Sequence, residues 1–275
     1  MLTTFTKSAN SLTFKKSNSK LEALQGKTIL ITGASSGIGE ALAYQLAHHD
    51  VHLILVARRE DRLTEMKREI ESLSATVSVC RADLREQDEM DDLLIHLSRQ
   101  QGGVDIFVSN AGHSIRRKLM DSLDRYHDFT RTMAINYFAP VRLTLALIPQ
   151  LRHNRGHVIN VSTINASLIP FPYWAAYQAS KSAFDTWFRS AAPEMNAAGI
   201  ATTSFYFPLV RTPMIEPTAA YRRMPAMSPE RAARLIVNAM LTKRRTYRPW
   251  WLVFGELASV LGRQLWERIA PRFMD

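Results

Sequence analysis

A tyrosine and a lysine lie four residues apart in the segment AAYQASK, residues 175–181. On a helix, positions i and i+4 share one face, so Tyr177 and Lys181 are expected to be neighbours. A free phenol has a pKa near ~10 and exchanges protons poorly at neutral pH. A neighbouring ammonium stabilises the phenolate, and we therefore expect Lys181 to lower the pKa of Tyr177. Taken alone, the pair fits an exposed tyrosine beside a solvated lysine better than a reacting centre, so its surroundings decide the interpretation.

Six short apolar runs, separated by amphipathic segments, form the framework around this pair. The first amphipathic segment places Ile38, Leu42 and Leu46 four residues apart on one helix face. Continuous apolar strands that alternate with helices are typical of a parallel sheet covered on both faces. We therefore predict an α/β fold, a single doubly wound (Rossmann) domain. The predicted strands are KTILIT (27–32), VHLILVA (51–57), ATVSVCR (75–81), VDIFVSN (104–110), HVINVS (157–162) and IATTSFYF (200–207).

The first strand is followed by TGASSGIG (32–39), a glycine-rich turn that leads into a helix. Such sheets bind ligands at the carboxyl ends of their strands, and a helix N-terminus offers free N–H groups to phosphate. We expect Gly33 to allow the tight turn, Gly37 to let backbone approach a pyrophosphate, and Gly39 to permit close helix packing. The turn predicts dinucleotide contacts from Gly33, Ser35, Ser36, Gly37, Ile38 and Gly39.

The second and third strand ends bear on which dinucleotide is bound. An acid after the second strand would bond the ribose 2′-hydroxyl of NAD, whereas Arg58 suits the 2′-phosphate of NADP. We expect NADP(H), with Arg58 as its main contact; a solvated basic loop is the alternative. After the third strand, in the dipeptide Asp83-Leu84, the carboxylate could bond the adenine amino group or cap the next helix.

Small or polar residues also follow the last three predicted strands. Beside a dinucleotide, Tyr177 could protonate a carbonyl oxygen that receives hydride, while Lys181 bonds the nicotinamide ribose. A hydroxyl from Ser162-Thr163, at the end of the fifth strand, could hold the same oxygen. The further candidate cofactor contacts are Asn110, Ala111, Gly112, Tyr177, Lys181, Pro208, Val210 and Thr212.

In this order, TGASSGIG, NAG, Asn136, YQASK and the PLVRTP region resemble the motifs of the short-chain dehydrogenase/reductase family over residues 25–240. The resemblance implies Tyr177 as catalytic acid/base and Lys181 as its pKa partner. It implies that Asn136, on a helix, holds a proton-relay water. It also implies a homodimer or homotetramer assembled through long helices near 120–150 and 173–197.

Two positions depart from the family pattern. The family usually has a serine thirteen residues before the tyrosine, where this chain has Ile164. One extra residue in the following loop would place Thr163 at the catalytic position, with Ser162 as the alternative. A threonine hydroxyl can make the same hydrogen bond, although its methyl group restricts the rotamer. The usual Pro-Gly after the sixth strand is Pro208-Leu209, which predicts a stiffer loop over the nicotinamide.

The stretches NAGHSIRR (110–117), DRYHDFTRTMAINYF (124–138) and PLVRTPMIEPT (208–218) resemble bacterial short-chain reductases that convert fatty acyl-CoA to aldehyde. This resemblance implies NADPH-dependent reduction of a long-chain acyl thioester. The single cysteine, Cys80, lies within the third strand, so we expect direct hydride transfer without a covalent thiol intermediate.

Alternatives remain for the substrate and for the basic turn. Arg116, Arg117 and Lys118 could pair with coenzyme A phosphates or form a solvated turn. The same residues would serve a generic carbonyl reductase that acts on a ketone or a 3-oxoacyl chain. A non-catalytic nucleotide-binding protein is less favoured, because the tyrosine, lysine and asparagine are all present.

Composition and charge limit the possible binding partners and the cellular location. A formal net charge of +10 attracts anions, yet no nucleic-acid-binding motif accompanies it, so we expect no nucleic-acid partner. We expect no metal site. One cysteine permits no intramolecular disulfide, and no apolar run reaches the ~18 residues of a membrane span, so we expect a cytoplasmic protein.

Two segments flank the predicted domain of residues 25–249, and a third lies within it. Residues 1–24, which are lysine-rich and lack an apolar signal core, are expected to form a flexible basic arm. Residues 212–227, with several methionines and prolines, are expected to form a mobile substrate flap. Residues 250–275 form an amphipathic tail that could lie on a membrane surface or pack on a neighbouring subunit.

Overall fold

The computed structural model describes residues 22–273 except residues 217, 219, 220 and 222, so most of the predicted basic arm lies outside the described residues. Seven parallel strands form one sheet in the order β3-β2-β1-β4-β5-β6-β7. The strand order reverses between β1 and β4, which marks the switch point where such sheets bind ligands. The strands are β1 Lys27–Thr32, β2 Val51–Ala57, β3 Thr76–Arg81, β4 Ile106–Ser109, β5 His157–Thr163, β6 Ala201–Phe207 and β7 Thr246–Tyr247.

Helices cover both faces of the sheet, and alternate strand residues point to opposite faces. In β1, Ile29 and Ile31 pack into one apolar cluster and Leu30 into the other. The predicted doubly wound α/β domain is therefore confirmed. The helices are α1 Gly37–Leu46, α2 Glu60–Glu71, α3 Gln87–Ser98, α4 Tyr126–Met133, α5 Ala139–His153, α6 Ala175–Ala197, α7 Pro229–Thr242, α8 Leu252–Leu261 and α9 Arg263–Ile269.

Strand β4 is shorter than the predicted run 104–110. The Asp105 carboxylate accepts the backbone N–H of Thr28 at 3.0 Å and pairs with Lys27 Nζ at 2.7 Å. This side chain takes a donor that strand pairing would otherwise use. The Asp105 N–H still reaches the Thr28 carbonyl at 2.9 Å, but the register with β1 begins at Ile106.

The long helix predicted near 120–150 is interrupted by a π-helical segment, Ala134–Phe138, between α4 and α5. Pro140 follows this segment and has no N–H to donate to the Asn136 carbonyl, as a regular α-helix requires. The backbone N–H of Ala139 instead reaches the carbonyl of Ala134, five residues back. The segment thus carries Asn136 on a locally widened turn.

The tail predicted at residues 250–275 contains the two short helices α8 and α9. They pack on the loop before α6, because Ser259 Oγ accepts the N–H of Ile169 at 3.0 Å and Trp266 Nε1 donates to the Pro170 carbonyl at 3.1 Å. Within the described part of the chain, no helix is both long enough and apolar enough to cross a membrane.

Candidate active site

The carboxyl ends of β1, β4, β5 and β6 enclose a cavity of about 420 Å³, which we call the crevice. Its walls include residues from the glycine turn, from the two strands that follow the switch point, and from α6. Sequence reasoning had assigned most of them to one site although they are spread over 180 positions. The predicted residues that line it are Gly33, Ser36, Gly37, Ile38, Asn110, Ala111, Gly112, Ser162, Thr163, Tyr177, Lys181, Pro208, Val210 and Thr212.

The glycine turn is packed so tightly that side chains would not fit. Gly33 has φ +65°, and a Cβ there would lie 2.9 Å from the Cα of Ala111. A Cβ at Gly39 would lie 2.4 Å from the Gly33 carbonyl oxygen. Gly37 also has a positive φ, and its close neighbour is the Thr212 side chain, at 2.8 Å from an added Cβ. Gly39 therefore packs beneath the turn and does not line the crevice.

The N-terminus of α1 opens into the crevice. Ser36 occupies the N-cap position in an extended conformation, and its side chain makes no capping hydrogen bond. The first-turn N–H groups therefore lack the usual side-chain acceptor and can hold a phosphate. Asn110 Nδ2 ties this turn to β4 by donating to the carbonyls of Thr32, at 3.0 Å, and Gly33, at 3.3 Å.

Tyr177 and Lys181 are both in a desolvated part of the crevice. Burial raises the pKa of Tyr177 to about 12, and a hydrogen bond with the Thr163 side chain only partly opposes this effect. Burial thus raises the pKa of Tyr177 above its ordinary value, and the pKa-lowering role expected of Lys181 stays a prediction. Burial also lowers the pKa of Lys181 to about 8, against the opposing charge of Asp185. Tyr177 consequently keeps its proton at neutral pH, which is the state that a general acid needs.

Of the two candidate hydroxyls on β5, Thr163 contacts the tyrosine. Its side chain hydrogen-bonds Tyr177 and also accepts the N–H of Asn165 at 3.3 Å. Ser162 lines the crevice too, but its Oγ is buried without a hydrogen-bond partner among the residues described. The geometry therefore separates the two hydroxyls, which sequence reasoning could not.

Asn136 lies behind the crevice wall rather than in it. Its Nδ2 donates to the His113 carbonyl at 2.8 Å and to Ser180 Oγ at 2.9 Å, and its Oδ1 accepts the N–H of His113 at 2.8 Å. A Cβ at Gly112 would lie 3.1 Å from Asn136 Oδ1 and 3.4 Å from Lys181 Nζ. Asn136 thus joins the loop after β4 to α6, directly behind the lysine.

These motifs and their arrangement match a known family over most of the chain. The family model described as short chain dehydrogenase matches residues 27–222. The chain belongs to the short-chain dehydrogenase family. It is therefore an oxidoreductase.

Two curated proteins are similar to this chain in sequence. A fatty acyl-CoA reductase of Acinetobacter baylyi is 43% identical over 88% of this chain and 83% of its own length. A fatty acyl-CoA reductase of Mycobacterium tuberculosis is 42% identical over 80% of this chain and 75% of its own length.

Solved structures share the fold. L-sorbose reductase from Gluconobacter frateurii, complexed with NADPH and L-sorbose, superimposes with a TM-score of 0.72 at 26% identity, over 82% of this chain and 95% of its own. A short-chain dehydrogenase from Sphingobium yanoikuyae in complex with NADPH gives a TM-score of 0.76 at 22% identity, over 87% of this chain and 94% of its own.

Arg58 and Asp83 lie together at the neighbouring strand ends, outside the crevice. Arg58 Nη1 is 3.8 Å from Asp83 Oδ2, and the arginine side chain is 65% exposed. Asp83 does not cap α3, because that helix begins at Gln87. Instead, Asp83 Oδ1 accepts hydrogen bonds from the backbone N–H of Arg85 at 3.1 Å and from its Nε–H at 2.9 Å. The Arg85 hydrogen bond, despite burial, lowers the pKa of Asp83. The adjacent Leu84 is buried in the core and presents no side chain to a ligand.

Sequence reasoning missed the part played by Arg59. Its Nη2 donates to the Ser35 carbonyl at 2.6 Å, and its Nε lies 3.2 Å from Ser35 Oγ. Ser35 is therefore engaged with Arg59 rather than lining the crevice. The pair of adjacent arginines was the only signal available, and it did not show which one would reach back to the glycine turn.

Two aromatic residues of the crevice were also missed. The Trp174 ring stacks on Tyr221 with centroids 5.7 Å apart and meets the Tyr177 ring edge-on at 5.8 Å. Tyr221 belongs to the segment predicted as a flap, together with Met214 and Met224, which also line the crevice. Residues 217, 219, 220 and 222 of this segment lie outside the described residues.

Proposed function

We propose that the protein is an NADPH-dependent reductase that converts a long-chain fatty acyl-CoA thioester to the aldehyde. The proposal depends on sequence identity of 42–43% with two fatty acyl-CoA reductases over most of the chain. The place of Tyr177 in the crevice, hydrogen-bonded to Thr163, also supports it, because a carbonyl oxygen held there could accept a proton as hydride is added to the carbon.

The reacting carbonyl would lie against the hydroxyls of Tyr177 and Thr163. The bound nicotinamide supplies the hydride that is added to the carbonyl carbon. Tyr177 donates its proton to the carbonyl oxygen, and Thr163 shares the negative charge that develops there. The carbonyl then re-forms as the proton returns to Tyr177 and the carbon–sulfur bond breaks. The thiolate takes a proton from water, so one hydride and one proton yield aldehyde and thiol.

Cys80 offers no route through a covalent thioester. It lies in β3, the outermost strand on the side of the sheet away from α6. Burial raises the pKa of its thiol to about 11. A thiol with so high a pKa holds almost no thiolate at neutral pH, and thiolate is the nucleophilic form. Direct hydride transfer follows for any thioester bound in the crevice.

The test combines NADPH with a panel of acyl-CoA thioesters and ketones, and measures both NADPH oxidation and thiol release. We expect about one thiol released for each NADPH oxidised with long-chain thioesters. Tyr177→Phe should bind NADPH normally and show no turnover. NADPH oxidation with ketones but with no thioester would identify the alternative, a carbonyl reductase acting on ketones or 3-oxoacyl chains.

The preference for NADP depends on Arg58, whose guanidinium is exposed at the end of β2. A charge-assisted contact to the 2′-phosphate contributes about 1.5–3 kcal/mol, so Arg58→Ala should raise the Kd for NADPH roughly 10- to 100-fold. The Kd for NADH should change less than about twofold, because NADH lacks the 2′-phosphate. Isothermal titration with each nucleotide measures this, and equal losses for both would contradict the 2′-phosphate assignment.

Two surfaces are proposed as contact sites outside the crevice. Phe138 and Leu145, on the π segment and α5, are exposed apolar residues on the helices through which we propose a homodimer or homotetramer. The tail helices α8 and α9 are proposed to contact an anionic lipid surface. The exposed side chains of Phe254 and Leu261 support this, as do the four basic residues directly before the helices, Lys243, Arg244, Arg245 and Arg248.

A further inference from the structure

Three arginines converge on one buried carboxylate in the loop and helix that follow β4. The Nε atoms of Arg117 and Arg125 each lie 3.1 Å from Asp128 Oδ2, and Arg131 Nη2 lies 2.6 Å from Oδ1. Asp128 is only 2% exposed, and although burial opposes ionisation, the arginines hold its pKa below the ordinary value. We call Arg117, Arg125 and Arg131 the arginine cluster.

The arginine cluster carries more positive charge than its carboxylate can neutralise. Asp121 and Asp124, the other acids of this segment, are exposed and form no ion pair with the cluster. The Nε of Arg131 is buried with no hydrogen-bond partner among the described residues. Three guanidinium groups around one carboxylate leave an excess of positive charge in a half-buried place, and a bound anion would offset its cost.

Each arginine of the cluster can still reach a ligand from solvent. Their side chains are 34–35% exposed, so donors remain after Asp128 has been bonded. A guanidinium has five N–H donors in a planar fork, a shape that matches the oxygens of a phosphate group. The cluster therefore has charge, free donors and access, the three properties that a phosphate site requires.

The arginine cluster lies just outside the crevice. Ser114 lines the crevice and Arg117 follows three residues later, so at most about 10 Å of chain separates them. The backbone N–H of Arg117 donates to the Tyr173 carbonyl at 2.9 Å, which fixes the loop beside the residue that precedes Trp174. A ligand held by the cluster could therefore extend past Trp174 to Tyr177.

We propose that the arginine cluster binds a phosphate of the phosphopantetheine arm or nucleotide that carries the acyl thioester. This inference rests on the proposed function, since only a thioester substrate carries that arm. The phosphates of such a carrier are many bonds away from the sulfur, so their site belongs outside the crevice, where the cluster lies. Arg116 is not part of the site, because its guanidinium stacks over the Tyr173 ring at 4.8 Å.

The experiment compares three thioesters of one acyl chain: acyl-CoA, acyl-phosphopantetheine and acyl-N-acetylcysteamine, which has no phosphate. Arg125→Gln should lower kcat/KM at least tenfold for a phosphate-bearing thioester and less than twofold for acyl-N-acetylcysteamine. Arg125→Lys should restore part of the loss, because it keeps the charge. If kcat/KM falls for acyl-CoA alone, the cluster binds the nucleotide phosphates. If it falls for both acyl-CoA and acyl-phosphopantetheine, the cluster binds the pantetheine phosphate.

The control is Arg99→Gln, which removes the same charge from an exposed residue at the C-terminal end of α3, shortly before the start of β4 and so away from the carboxyl strand ends. It should leave all three kcat/KM values unchanged. The inference would be overturned if Arg125→Gln lowered kcat/KM equally for all three thioesters, or for none of them. A rise in the Kd for NADPH alone would assign the cluster to the cofactor instead. A wild-type protein that reduces none of the thioesters would overturn the proposed function itself.

Discussion

Lys181 is held in an environment that opposes its charge. Its Nζ lies 3.4 Å from the Val161 carbonyl, and the residue is 9% exposed. Because burial lowers its pKa from 10.5 to about 8, the folded protein binds this proton less strongly than the unfolded chain. The resulting cost to stability is fully present below pH 8 and disappears as the pH rises through 10.5. Function and stability therefore conflict at this residue.

Lys181→Met should raise the free energy of unfolding while abolishing turnover. At pH 7 the gain should be on the order of 3 kcal/mol, because about 1.4 kcal/mol accompanies each pKa unit. Urea unfolding at pH 7 and pH 10 measures it, and the gain should shrink at the higher pH. A variant less stable than wild type at pH 7 would contradict this account of the lysine.

Thr163 and Ser162 should differ in their contribution to turnover. Thr163→Val removes the hydroxyl that bonds Tyr177 but keeps the shape of the side chain, so we expect kcat to fall by about 10²- to 10³-fold. Ser162→Ala removes an Oγ that has no partner among the described residues, so its effect on kcat should stay within a few-fold. Steady-state kinetics on both variants decide the matter, and the reverse ranking would assign the catalytic hydroxyl to Ser162.

Spacing along the chain was sufficient to predict most of the residues that meet in the crevice, because strand ends of a parallel sheet lie at one edge. It was not sufficient for the pKa of Tyr177, which depends on burial by residues distant in sequence. The contacts of Arg59 with Ser35 and of Trp174 with Tyr221 were missed for the same reason. Such contacts depend on where loops fold back, which local periodicity does not encode.

At the level of elements, His157 joins β5 to β6 at the edge of the sheet remote from the crevice. Its Nε2 lies 2.8 Å from Thr203 Oγ1, and that hydroxyl donates to the Arg244 carbonyl at 2.7 Å. The histidine must therefore donate from Nε2, which leaves Nδ1 buried without a partner among the described residues. Protonation would place a buried charge there, and burial accordingly lowers the pKa of His157 to about 3.

This histidine should make the fold sensitive to mild acid. Because the pKa of His157 is lowered in the folded state, its contribution to stability is fully present above pH 6.5 and is lost as the pH falls toward 3. Between pH 6.5 and 4.5, protonation of His157 should lower the free energy of unfolding by about 2–3 kcal/mol. His157→Gln should remove that contribution from the pH dependence of urea unfolding, while the exposed His96→Gln should not. Parallel profiles for wild type and His157→Gln would contradict the assignment.

The elements themselves were largely predictable. Strands β1 and β2 begin and end where their apolar runs do, because both faces of a parallel strand are buried and the whole run is apolar. The two-residue strand β7 carries no such run, and nothing in the sequence predicted it. The π segment was missed as well, although Pro140 was the available signal.

At the scale of the whole molecule, the tail forms an exposed apolar surface against the loop that leads to Trp174 in the crevice wall. Trp250 is 80% exposed and Phe254 65%, and the Trp266 ring lies 6.2 Å from Phe171, in the loop before α6. Contact with anionic lipid through this surface would set the crevice close to dissolved acyl chains.

Sedimentation with vesicles tests this contact. Wild type should bind anionic vesicles at low salt, more weakly at high salt, and zwitterionic vesicles poorly. The double substitution Phe254→Glu and Leu261→Glu should weaken binding at least about tenfold, because it removes two apolar side chains and adds two negative charges. Ile95→Glu, an exposed position on α3, serves as the control. An absence of binding by wild type at low salt would exclude the lipid surface.

The π segment limits how this enzyme can be re-engineered. A designer who deletes one residue between 134 and 138 to obtain a continuous α-helix would improve its local regularity. The deletion would also rotate everything before it by about 100° relative to α5, because each α-helical residue turns the chain by that angle. Asn136 would leave His113 and Ser180, so the irregular turn has to be kept in any redesigned version of this scaffold.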